Sequence, residues 1–136
     1  MKIFVTVALF SGLLAQTPET YKTRLAPVAI DVAMKANVAG VGSVTAILAG
    51  TTLTLNGTFE GLKTNATVAK IRQGSAAGVR GAAILDLDVS KATKGAITGT
   101  FQLTPAQVEN LKLGKWYVQI DSEKAPEGNL WGWLLK

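Results

Sequence analysis

Thr52-Leu53-Thr54-Leu55-Asn56-Gly57-Thr58-Phe59-Glu60 is the stretch on which the fold turns. Leu53, Leu55 and Phe59 fall on one side of an extended chain, and three threonines, Asn56 and Glu60 fall on the other. A period of two over nine residues predicts a half-buried antiparallel strand. Outward from it the same grammar recurs, with short Val/Ile/Leu/Thr runs broken by turn residues. Residues 43–48 read as a strand ended by Ala49-Gly50, and residues 67–72, 83–89 and 96–103 read as three more. The loop between Gln73 and Gly81 holds three glycines but lacks the Gly-Lys-Ser/Thr ending of a phosphate-binding loop. The last strands are expected at residues 116–121 and 130–135, with residues 122–129 as a loop between them.

One helix interrupts the pattern. Thr104-Pro105-Ala106-Gln107 carries a capping threonine, proline at the first helical position and glutamine three residues after the cap. Each feature satisfies or removes a backbone N–H that a helix start leaves without a partner. Gly114 is the expected stop. Seven or eight strands with one short connecting helix define the expected class: all-β, an antiparallel sandwich or partly open barrel.

The chain has 136 residues, enough for one domain. Hydrophobic residues make up 48% and charged ones 17%, which excludes a disordered chain. Cys and His are both absent, so disulfides, zinc fingers and Cys- or His-based nucleophilic sites are excluded. Fourteen basic residues against nine acidic ones leave a formal charge of +5, but the basic residues are scattered and predict no nucleic-acid surface. Residues 1–15 combine Lys2, a short apolar run and Ala15, and predict a secretory signal; a retained, buried N-terminal strand is the alternative. The apolar run is too short to span a bilayer. Residues 16–35 read as a lead-in with one strand near 28–32, and residues 36–136 as the domain proper.

From Gly57 to Leu135 the order of features resembles the chordin-type CHRD domain, a secreted all-β module. The matching pieces are Phe59-Glu60-Gly61-Leu62, Ala69-Lys70-Ile71-Arg72-Gln73-Gly74 and Gly81 before Leu85-Asp86-Leu87. They continue through Gly99-Thr100, Leu103-Thr104-Pro105-Ala106-Gln107, Leu111 and Gly114-Lys115-Trp116-Tyr117-Val118-Gln119-Ile120 to Pro126-Glu127-Gly128-Asn129-Leu130-Trp131-Gly132. The family's usual His-Ile-His is Lys70-Ile71-Arg72 here, and its usual later His is Asp121. The resemblance implies that Lys70, Arg72 and Asp121 meet in space, as an ion-pair network or an anion site in place of a His cluster.

Two further features bear on function. Trp131 and Trp133 share one face of the last strand, with Leu130 and Leu134 on the other. The family is polar at the two tryptophan positions, so an outward apolar strip that meets a protein or carbohydrate partner, or a second copy, is expected. Asp86-x-Asp88 reads as a solvated strand face, and Asn56-Gly57-Thr58 and Asn65-Ala66-Thr67 match the glycosylation sequon. The resulting expectation is a secreted or periplasmic, non-enzymatic binding or structural module with no metal and no cofactor. Trp131, Trp133, Lys70, Arg72 and Asp121 are its candidate site residues. Two alternatives stand beside it: a metal-handling or redox protein, and a self-assembling surface or filament subunit that donates its N-terminal strand.

Overall fold

The computed structural model describes residues 17–136, so the expected secretory signal and donor strand lie outside the described residues. Eight strands follow in order: β1 (Glu19–Pro27), β2 (Val41–Ala49), β3 (Thr52–Glu60), β4 (Ala66–Gln73), β5 (Ala82–Val89), β6 (Gly95–Gln102), β7 (Trp116–Ser122) and β8 (Ala125–Trp133). Helix α1 (Pro105–Lys112) joins β6 to β7, and a short 3-10 turn (Val32–Ala36) lies between β1 and β2. All pairings are antiparallel, and the strands close in the order β1-β2-β3-β6-β5-β4-β7-β8, with β8 meeting β1.

The all-β class, the strand number and the short connecting helix are as expected, and the expected sandwich or partly open barrel is corrected to a closed barrel. The two descriptions are physically close, because β1-β2-β3-β6 and β5-β4-β7-β8 are each continuously paired, while the seams between them are sparse. One seam is Ala26↔Trp131 and Pro27↔Leu130, with a lone bridge Lys22↔Leu135. The other is Asp88↔Thr98 and Val89↔Ile97. By contrast, β2 and β3 pair over their full length, from Val41↔Glu60 to Ala49↔Thr52. Gly50, at φ 63°, supplies the left-handed backbone for the two-residue turn between them.

The alternation in β3 does what its pattern dictates: Leu53 and Leu55 are fully buried and Phe59 nearly so. They pack with Ile71 of β4, Trp116, Val118 and Ile120 of β7, and Leu130 of β8. The helix start is also as expected. Thr104 Oγ1 accepts from Gln107 N–H at 3.2 Å, and Gln107 Oε1 accepts from Thr104 N–H at 2.9 Å. Leu111 carries the helix into the core.

Two boundaries differ from expectation. The first strand is Glu19–Pro27, not residues 28–32, and it is a full stave of the barrel rather than a lead-in. Tyr21 and Leu25 are its buried side chains, with half-buried Thr23 between them. The last strand begins at Ala125, five residues early, so most of the expected loop is strand. Pro126 is tolerated there because β1 pairs with β8 only at Leu130 and Trp131, leaving no neighbour to require its missing N–H.

Candidate functional site

Strands β4, β7 and β8 alternate between the core and an outer wall. Trp116, Val118 and Ile120 point inward, which turns Tyr117, Gln119 and Asp121 outward. The register sets Arg72 opposite Tyr117, Lys70 opposite Gln119, Tyr117 opposite Trp133 and Gln119 opposite Trp131. All five residues expected at a site therefore lie on one wall. What they do there differs from expectation in two respects.

Lys70 and Asp121 are not an ion pair. The Lys70 ammonium lies 3.4 Å from Asp86 on β5, its opposite number in the register. Both partners are solvated, so the pair adds at most about 1 kcal/mol. Asp121 instead accepts from Gln119 Nε2 at 2.6 Å. Burial raises the Asp121 carboxyl above its ordinary value, against the smaller lowering effects of that hydrogen bond and of the Arg72 and Lys70 charges.

The tryptophans do face away from Leu130 and Leu134, but they form no exposed strip. Trp131 is only 7% exposed and Trp133 is half-buried. Tyr117 fills the space between them, with ring centroids 5.7 Å from Trp131 and 4.5 Å from Trp133. The Arg80 guanidinium lies 4.3 Å from the centroid of Trp131 as a cation–π cover. Gly128, at φ 128°, also lies against that indole, where any Cβ would collide with it. The cover over Trp131 is thus drawn from the β4–β5 loop and from β8 itself.

Tyr117 anchors that loop. Its hydroxyl donates to Gly81 C=O at 3.0 Å and accepts from Gly81 N–H at 2.9 Å and Arg72 Nε at 3.3 Å. Arg72 Nε also donates to Gly81 C=O at 2.9 Å. These bonds hold Arg72 and the neighbouring Arg80 at the edge of a recess of about 410 Å³. Gln119, Asp121, Glu127 and Ile30 complete most of its lining.

Gln119 is the residue that sequence reasoning missed. It is 5% exposed, and its Nε2 donates to Asp121 Oδ1 and, at 3.3 Å, to the Glu127 carbonyl. Both of those partners are acceptors, which fixes the amide orientation. Its Oε1 is left buried with no donor, a costly condition. Trp131 Nε1, on the residue directly opposite, is a buried donor with no acceptor. A larger recess of about 590 Å³ opens on the other half of the barrel between Arg24, Thr58, Glu60 and Lys94. Neither unpartnered buried polar atom belongs to a residue lining it.

Among the described residues no three acidic side chains come together in a group that could hold a metal ion, and no helix is long and apolar enough to cross a membrane. Asn56 and Asn65, the two sequon asparagines, are both exposed. The barrel and its outer wall define a compact β-module with a charged recess on one side. Residues 23–134 match the CHRD domain family, and the chain belongs to that family. The match begins within β1, consistent with β1 as part of the domain. Neither a curated protein nor a solved structure matches the chain.

Proposed function

We propose that this CHRD domain is an extracellular, non-enzymatic binding module and that it binds through the recess of β4, β7 and β8. The observation that carries the reading is Gln119, a nearly fully buried amide whose Oε1 has no donor, in a recess shared by four charged side chains. A barrel needs no such group for stability, because an apolar side chain there would avoid the desolvation cost. Support for a binding role over catalysis comes from the side-chain chemistry. The chain has no His and no Cys, and of the two carboxylates in the recess lining Asp121 is already bonded to the Gln119 amide. Support for an extracellular setting comes from the family, whose members are generally extracellular, and from the apolar run at the start of the sequence. Donation of the N-terminal apolar segment to a neighbour concerns residues outside the described ones, and a mature chain beginning at Gln16 would lack that segment.

The test has two arms. Mass spectrometry of the exported protein should find a chain beginning at Gln16, and recovery of the intact chain only from the cell interior would refute the location. A thermal-shift screen of small metabolites and glycans should yield compounds that stabilise the wild type but not an Arg80→Gln, Glu127→Gln double variant. A screen with no such compound refutes the recess as a binding site.

A further inference from the structure

The four charges of the recess carry the argument beyond binding in general. Arg72 and Arg80 bring two guanidinium groups, and Asp121 and Glu127 bring two carboxylates. Among the described residues none of the four forms an ion pair, either with another or with any other group. Opposite charges in one recess that do not neutralise each other keep their capacity for a third party. Among the described residues Arg72 bonds only through its Nε, to Gly81 and Tyr117, and its terminal N–H groups have no acceptor. Arg80 presents a guanidinium face to Trp131, which leaves its N–H edge free, since cation–π contact uses the plane and not the donors.

The acceptors are equally distinctive. Gln119 Oε1 is unpartnered, and the Gln119 amide touches both Asp121 and the Glu127 backbone. Nε2 is the amide atom turned to Asp121 and Glu127, while Oε1 is buried on the other side of the amide. Two carboxylates toward the Asp121 end of β7 match a primary ammonium, and two guanidinium forks toward its Tyr117 end match a carboxylate. A sugar ring fits less well. It would stack on an aromatic face, and those of Trp131 are taken by Tyr117 and Arg80.

We propose that this recess is a site for a small zwitterion, a primary ammonium and a carboxylate on one compound, as in a free amino acid. The proposal rests on the binding reading above and narrows it to one ligand class. The ammonium sits against Asp121 and Glu127, and the carboxylate against Arg72 and Arg80. Binding returns a counter-charge to the half-buried Asp121. The recess, at about 410 Å³, exceeds the volume of one amino acid, so ligand length is set by charge spacing rather than by fit alone.

The full chain, uniformly ¹⁵N-labelled, is titrated with glycine, β-alanine and 4-aminobutyrate, which space the two charges progressively further apart. Glycinamide and N-acetylglycine serve as the forms lacking one charge. At least one zwitterion should move the Gln119 side-chain amide resonances saturably, and both blocked forms should bind about ten- to a hundredfold more weakly. Arg80→Gln and Glu127→Gln alter exposed side chains, so the fold should stay intact while each weakens the best zwitterion by a similar factor. If N-acetylglycine or a neutral compound from the screen binds as well at the same resonances, the module binds at this recess but the zwitterion proposal is wrong. If nothing moves the Gln119 resonances, the recess is not a binding site and both readings fall.

Discussion

Replacing Tyr117 with phenylalanine removes one oxygen and leaves the ring between the two indoles. The hydroxyl makes three hydrogen bonds, all to Gly81 and Arg72. Arg72 Nε and the Gly81 carbonyl keep each other as partners at 2.9 Å, so neither is orphaned. The group that loses its only partner is Gly81 N–H. An unsatisfied donor costs about 1–3 kcal/mol, and Gly81 is half-buried, which places the expected loss near the middle of that range, about 2 kcal/mol. With a urea m-value of about 2 kcal/mol/M for a domain of this size, the unfolding midpoint should fall by about 1 M with m unchanged. The same substitution releases the loop that carries Arg80, so Trp131 fluorescence should change in the folded state. A midpoint within about 0.2 M of wild type would refute the idea that this hydroxyl fixes the loop, and with it the account of how the recess keeps its shape.

Trp131→Gln should cost about 3 kcal/mol, since it empties a packed site between Tyr117 and Arg80; a loss below about 1 kcal/mol in the same urea assay would show the indole is dispensable to the wall. Asp121→Asn tests the sign of a pKa effect. A folded-state pKa raised by burial adds stability that is complete below the unfolded value and lost as pH rises through the folded one. The asparagine variant should therefore melt higher than wild type at neutral pH and equal to it once the carboxyl is protonated in both states. A gap of the same size at both pH values would mean the carboxyl is not the cause. Thr104→Ala should lower stability by about 1 kcal/mol through loss of the capping hydroxyl, and an unchanged midpoint would place the helix stability elsewhere.

The strands that the sequence made plain are those whose inward positions are all large and apolar. β3 reads at once because Leu53, Leu55 and Phe59 are all buried. β1 does not, because its inward series runs Tyr21, Thr23, Leu25, and the threonine interrupts the pattern where it meets Gly132 across the seam. The first half of β8 is hidden by Pro126, Gly128 and Asn129, all of which suggest a turn. Asn129 is in fact fully buried, donating to Ser122 Oγ and accepting from Ala39 N–H. Closure itself leaves no trace in a period of two, since sandwich and barrel share it and differ only in whether the outermost strands meet. On the wall, alternation correctly turned Trp131 outward, but its cover, Arg80, comes from a glycine-rich loop with no periodicity to place it. Gln119 had a readable signal, a lone amide between Val118 and Ile120, and only the register opposite Trp131 shows that it is buried.

The two sparse seams also govern the order of folding. Each four-stranded half can assemble from its own pairings, but the seam between β1 and β8 joins the beginning of the barrel to its end. Joining such distant segments carries the largest loop-closure cost for a small return, two residue pairs and a bridge. Closure should thus come late, and in a chain still being synthesised it cannot begin before β8 has emerged. Until then β1, β6, β5 and β8 all present open edges, the form in which β-proteins meet one another. The interval before closure, more than the depth of the core, is when this chain is exposed to aggregation.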